Sequence, residues 1–225
     1  LAGVGGTITA AGIITAPHIK TGGSLENTGL GANTLAAITT GTLNTALGAN
    51  AGDSLTTGAR NIAIGHDALT SLATENDNTA IGESALQNNT GGAQNTAIGS
   101  GALSSSTTAG YNVAVGYRAL LDNTTGSSNT AVGRDALTNN TTAGNNTAVG
   151  YSAMLSNTTG NACVAVGNAA LYTNNAAYNT AIGYDAMNAN TTGASNVAVG
   201  GLALDANTTA SNNTAVGKSA LGANT

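Results

Sequence analysis

Phenylalanine and tryptophan are absent from this chain, tyrosine occurs six times, and only 7% of the 225 residues are charged. So little aromatic and charged material, together with 32 glycines, is the composition of a low-complexity disordered segment. Two features exclude that reading: the net charge of −5 is too small for strong self-repulsion, and the apolar residues sit at fixed phases of a repeat. They imply a packed but narrow core. Only five lysines and arginines are present, and they are scattered, so no basic stripe exists to neutralise nucleic-acid phosphates. No run of about 18 consecutive apolar residues is present either, which excludes insertion in a membrane as a spanning helix. A single cysteine, Cys163, cannot form an intrachain disulfide and stands where asparagine otherwise recurs, so it reads as a small space-filler. A start at Leu1, with neither signal peptide nor initiator methionine, and an end at Asn224-Thr225 partway through a repeat read as a fragment of a longer protein.

What the chain does have is a short fixed period. The pattern Asn129-Thr130-Ala131-Val132-Gly133 returns with its glycine at positions 31, 48, 65, 82, 99, 116, 133, 150, 167, 183, 200 and 217, spaced 17 residues apart except for one gap of 16. Such a period overrides the length-based expectation of one or two globular domains and points to a single solenoid. Residues 1–26 fall outside the clear repeat. Thr7-Ile8-Thr9 and Ile13-Ile14-Thr15 read there as short β segments punctuated by Gly12 and Pro17, in a lead-in or junction. Residues 27–225 form the repeat region, with degenerate first copies of the kind expected near a solenoid boundary.

Each repeat is expected to hold two short strands and two turns. Alternation places Thr130 and Val132 on one face and Asn129 and Ala131 on the other, with the Ile/Val column taken as core and the alanine column as a close-packing site on the far side. Gly133 bends the chain, Ala136-Leu137 starts a second face, and Asn140-Thr141-Thr142-Ala143-Gly144 has turn chemistry. Helices are excluded because every period contains glycine and an Asn/Thr cluster. An array of antiparallel hairpins is disfavoured because an identical unit most simply stacks on its own copy in parallel, at ~4.8 Å per coil.

Stacking gives the recurrent residues physical roles. Asparagine lies four places before the glycine in eleven of twelve copies and can form a hydrogen-bonded ladder, or alternatively serve a local turn. Leucine or methionine lies four places after it in eleven of twelve, as at Leu69, Leu86, Leu103, Leu120, Leu137 and Met154, and makes an apolar column. A coil this small buries little apolar area against its ordering entropy, so self-association about an axis parallel to the solenoid is expected. Threefold packing is the preferred arrangement, and a dimer is also physically permitted.

The unit seen in Asn112-Val113-Ala114-Val115-Gly116 and Asn196-Val197-Ala198-Val199-Gly200 resembles the YadA-like head repeat of trimeric autotransporter adhesins. The longer unit, with Ala119-Leu120-Leu121-Asp122-Asn123-Thr124-Thr125-Gly126, is more similar to repeats of bacteriophage tail fibres. The resemblance spans about residues 27–225. It implies an all-β, left-handed parallel β-solenoid (a β-roll or β-helix) of about twelve coils, assembled as a homotrimer. It also implies an extracellular fibre, on a virion or a bacterial cell surface, engaged in host attachment. The period of 17 is longer than that usual in autotransporter heads, and neither a membrane-anchor barrel nor a chaperone domain is present in these residues.

The two positions after the glycine vary from copy to copy while their neighbours do not, and about half of all charged residues lie in them. This stripe is the candidate recognition surface: His66, Asp67, Glu83, Tyr117, Arg118, Arg134, Asp135, Tyr151, Tyr184, Asp185 and Lys218. Tyr117, Tyr151 and Tyr184 recur at every second coil, roughly 10 Å apart by strand spacing, which suits stacking on the sugar rings of a host-surface glycan, although chance exposure of tolerant positions is the preferred reading. A host-surface protein is the other partner considered for the stripe. Some trimeric phage fibres cut polysaccharides with paired carboxylates. Asp67 and Glu83 lie at nearby phases of consecutive coils, yet no insertion forms a pocket around them. They read as solvated charges, and no enzymatic activity is expected. His18 and His66 lack partners at metal-ligand spacing, so no metal and no cofactor is indicated. The Asn-Thr-Thr glycosylation pattern is generated by the turn itself. Ice binding is a further reading, and it requires outward-facing threonines.

Overall fold

The computed structural model describes residues 25–223, and the expected lead-in over 1–26 lies almost wholly outside them. Among the described residues, twelve strands of three residues each, β1 (Thr28–Leu30) through β12 (Thr214–Val216), form one parallel sheet in strict sequence order. The protein is an all-β parallel β-solenoid in which each coil is one repeat. Like pairs with like: between β7 (Thr130–Val132) and β8 (Thr147–Val149), Thr130 faces Thr147, Ala131 faces Ala148 and Val132 faces Val149. The coil that is one residue short keeps the same register, with Val164 opposite Thr180.

Each coil contains one strand, not two. Beyond Gly133 the chain passes through left-handed backbone at Asp135 (φ 58°) and Leu137 (φ 52°), and before the next strand it does so again at Asn145 (φ 60°). Left-handed residues cannot continue an extended strand. The second segment nevertheless bonds to the neighbouring coils: the Asp135 N–H donates to the Tyr117 carbonyl at 2.9 Å and the Leu137 N–H to the Ala153 carbonyl at 3.0 Å.

The alternation along each strand is as expected, but the assignment of its faces is reversed. Ala131 and Ala148 are fully buried inside the coil, whereas Val132 and Val149 face outward and are each 36% exposed. The interior explains why. It is already filled by the leucine column, with Leu137 fully buried, and by two asparagine columns, so only alanine fits opposite them. The β-branched residues are left on the outside.

The asparagines form a ladder, mainly by bonding to backbone. Asn129 Oδ1 accepts the Asn146 N–H at 3.0 Å, while Asn129 Nδ2 donates to the Ala143 carbonyl at 2.9 Å. A second ladder comes from residues expected to be a plain turn. Asn123, Asn140, Asn157, Asn190 and Asn207 are fully buried, and Asn140 Nδ2 donates both to Asn123 Oδ1 at 2.8 Å and to the Ala143 carbonyl at 2.9 Å. In the first coils the same column holds Ile38, Leu55 and Leu72, and Leu55 packs where Gly52 interrupts the leucine column. The glycosylation-like asparagine Asn123 is thus sealed inside the coil. Cys163 is buried as expected, and burial pushes its thiol pKa up.

Two outcomes test this architecture. Gly133 has φ 131°, and a Cβ there would fall against the Gly150 carbonyl of the next coil, well under 3.0 Å from it. Gly133→Ala should destabilise by about 3 kcal/mol or more, read from the denaturant midpoint, because both strain and overlap act on backbone that cannot give. Ser106 replaces asparagine in the second ladder, and its buried hydroxyl has no hydrogen-bond partner. Ser106→Asn should therefore stabilise by about 1 kcal/mol, raising Tm by about 2–4 °C in calorimetry.

Candidate recognition face

The candidate residues stand where the glycine corner turns the chain outward. The first position after the glycine is exposed in coil after coil: His66, Glu83, Tyr117, Arg134, Tyr151, Tyr184 and Lys218 all face solvent. The second position is left-handed in every coil and lies closer to the body, leaving Asp67, Arg118 and Asp185 half-buried and Asp135 buried.

Stacking gathers some of these residues and leaves others apart. Tyr117, Arg134 and Tyr151 occupy three successive coils, and the Arg134 guanidinium carbon lies 5.8 Å from the centre of the Tyr117 ring and 5.7 Å from that of Tyr151. Asp135 supports them from below: its Oδ2 accepts from Arg134 Nε at 3.0 Å, and its Oδ1 lies 3.9 Å from Arg118 Nε. His66 Nδ1 lies 3.3 Å from Asp67 Oδ2, and Asn50 Nδ2 donates to Asp67 Oδ1 at 2.9 Å. Tyr184 stands two coils beyond Tyr151, where a hydrogen bond to Asp185 and then its negative charge raise the phenol pKa. Among the described residues, neither Glu83 nor Lys218 enters an ion pair, and no group of three or more His, Cys, Asp or Glu side chains is arranged to hold a metal ion.

Another corner, five places before the glycine, also carries exposed chemistry that the stripe does not include. Arg60 Nε donates to Asp77 Oδ1 at 2.6 Å and its Nη2 to Asp77 Oδ2 at 2.9 Å, a two-pronged bridge between adjacent coils. Hydrogen bonding to the partner, then its charge, raises the Arg60 pKa, and hydrogen bonding to Arg60 lowers that of Asp77. Both side chains are solvated, so the pair adds little stability. Tyr111 and Tyr178 occupy the same corner, 66% and 68% exposed, more so than the stripe tyrosines. The signal for the ion pair was available: opposite charges 17 residues apart in a 17-residue repeat must stack.

The outer face of the sheet has a third character. Its first row is mostly threonine, with Ile62, Val113, Val164 and Val197 interspersed, and its second row is leucine, isoleucine or valine in all twelve strands. No protein-family model, no curated protein and no solved structure matches this chain.

Proposed function

We propose that this chain is a rigid segment of an extracellular fibre, wound left-handed and assembled as a homotrimer, acting as the shaft or head of a bacteriophage tail fibre in host-surface attachment. The observation that carries this reading is the second outer row, an uninterrupted apolar strip from Leu30 (40% exposed) through Ile98 (37%) to Ile182 (41%). Monomeric soluble proteins rarely expose contiguous apolar strips of that length, and such strips mark interfaces. Because the strip runs parallel to the solenoid axis, copies lying side by side about a common axis cover it along its whole length. A bacterial trimeric adhesin head is the alternative within the same architecture. The full-length gene sequence separates the two: a chaperone or receptor-binding tip in it favours the phage, and a coiled-coil stalk with a membrane barrel favours the bacterium.

Sedimentation equilibrium of the chain is expected to give three times the chain mass. Introducing Val132→Lys together with Val149→Lys is expected to yield a monomer with its β circular dichroism retained, since both side chains lie outside the coil. A wild-type monomer overturns the assembly.

The outward threonine row supports a second reading, ice binding, because the threonines that reading needs do point out of the coil: Thr45 and Thr214 are exposed, and Thr130 and Thr147 are half-exposed. The two readings compete for one face. Thermal hysteresis of the wild-type chain is expected to be absent if the face is covered by neighbouring copies, and a clear freezing-point gap in a monomeric sample would favour ice binding.

A further inference from the structure

Arg134 is held on three sides. Tyrosine rings flank its guanidinium at 5.8 and 5.7 Å, and its Nε is bound to Asp135 at 3.0 Å. A free surface arginine loses considerable side-chain entropy when a ligand fixes it. Here the fold has already fixed it. The side chain nonetheless remains 63% exposed, and no hydrogen bond within the described residues engages its two terminal nitrogens. What projects into solvent is the paired-donor end of a planar guanidinium, a shape that matches carboxylate, sulfate or phosphate oxygens two at a time.

The charge around it selects an anion. Two guanidiniums, Arg118 and Arg134, face the single carboxylate of Asp135, so the cluster keeps one positive charge in a chain that is otherwise acidic. Asp135 is buried, and its Oδ1 is closed to solvent without a hydrogen-bond donor. That carboxylate is therefore inside the support and unable to compete for the ligand. The tyrosines supply the remaining recognition. Tyr117 and Tyr151 are each 50% exposed, and the coils beyond them place the short side chains Ser100 and Asn168 in the same row, so the outer ring faces stay open. Two coils separate the rings, roughly 10 Å by strand spacing, and sugars stacked on the outer faces extend the site beyond them at each end, so an oligosaccharide lying along the row meets first an aromatic face, then the guanidinium, then the second aromatic face.

We propose that Tyr117, Arg134 and Tyr151 form a binding site for an acidic polysaccharide, the guanidinium taking an oxyanion of one sugar and the tyrosines stacking on sugars to either side of it. Asp135 is a positioning residue in this site. The proposal rests on the surface-attachment reading above and supplies the class of partner.

The full chain is titrated by calorimetry with oligogalacturonides, with sulfated galactan oligosaccharides, with uncharged galacto-oligosaccharides and with sodium sulfate alone. At least one acidic oligosaccharide is expected to bind saturably, at least tenfold more tightly than the uncharged one and than sulfate alone, and to weaken as salt rises. Preference between the two acidic probes identifies the oxyanion as carboxylate or sulfate. Arg134→Gln is expected to lower that affinity at least tenfold, Tyr117→Leu with Tyr151→Leu likewise, and Asp135→Asn several-fold by releasing the guanidinium. Because Arg134 and both tyrosines are exposed, the first two variants should keep the wild-type β circular dichroism. No saturable binding at millimolar sugar, equal binding of charged and uncharged sugars, or an Arg134→Gln variant that binds like wild type each overturns the proposal. Sedimentation of the same samples separates its failure from that of the fibre: a trimer that ignores acidic sugars removes this site alone, whereas a monomer that binds them removes the trimer and leaves the site.

Discussion

Every coil must meet the next around its whole perimeter at hydrogen-bonding distance, and the composition follows from that constraint. At the Gly133 corner the next coil's carbonyl occupies the space a side chain would need. The asparagine positions require a side chain that both accepts from the backbone N–H of the following coil and donates to a turn carbonyl, and an amide does both. The leucine column sits in left-handed backbone, as at Leu120 and Leu137, a conformation that costs about 1–3 kcal/mol per residue. Complete burial of each leucine returns about 1.5–3 kcal/mol. Burial thus offsets the strain at the leucine, while the coil's other left-handed residues, as at Asp135 and Asn145, are held by the inter-coil hydrogen bonds that their N–H groups donate. Even the irregular coil obeys: where Cys163 interrupts the first ladder, Asn179 Nδ2 bonds across to Asn174 Oδ1 at 2.9 Å and the strand register survives.

The period alone made the parallel order and the register legible, because a repeat of identical units leaves no other simple way for strands to pair. It did not reveal which face of the strand points inward. Alternation separates Ala131 from Val132 but is silent on direction, and the usual rule that the more apolar residue is buried gave the wrong side. The deciding quantity is interior volume, set by Leu137 and by Asn140, and Asn140 read as an ordinary turn residue because buried asparagine and turn asparagine look alike in a sequence. The second strand fails for a related reason: Leu137 carries no sequence mark of left-handed backbone, and the Asn, Asp and Gly that recur in the Asp135 column, as at Asn33, Asn50, Asp67 and Gly101, read as variable surface positions when they mark that conformation. The Tyr117, Arg134 and Tyr151 alignment was legible as a row of variable positions, whereas the sandwich itself depends on side-chain geometry that spacing does not fix.

The exterior then divides by its periodicity. The outer face of the sheet presents the same two rows in each coil, so whatever lies against it gains the same small increment twelve times over, and only a partner that is itself periodic at the coil spacing can collect all of them. A second copy of the chain has that period by construction, whereas an ordered lattice of water would have to match it, and these are the two occupants proposed for this face. The glycine corner behaves in the opposite way. Its occupants change at each step, from Ser100 to Tyr117 to Arg134 to Tyr151 to Asn168, so a ligand there meets a particular sequence of groups at one height on the rod. Substitution at that corner leaves the ladders and the leucine column intact, because its first residue points away from both. The corner is therefore where such a rod can acquire a specific partner without disturbing the stacking that holds it together.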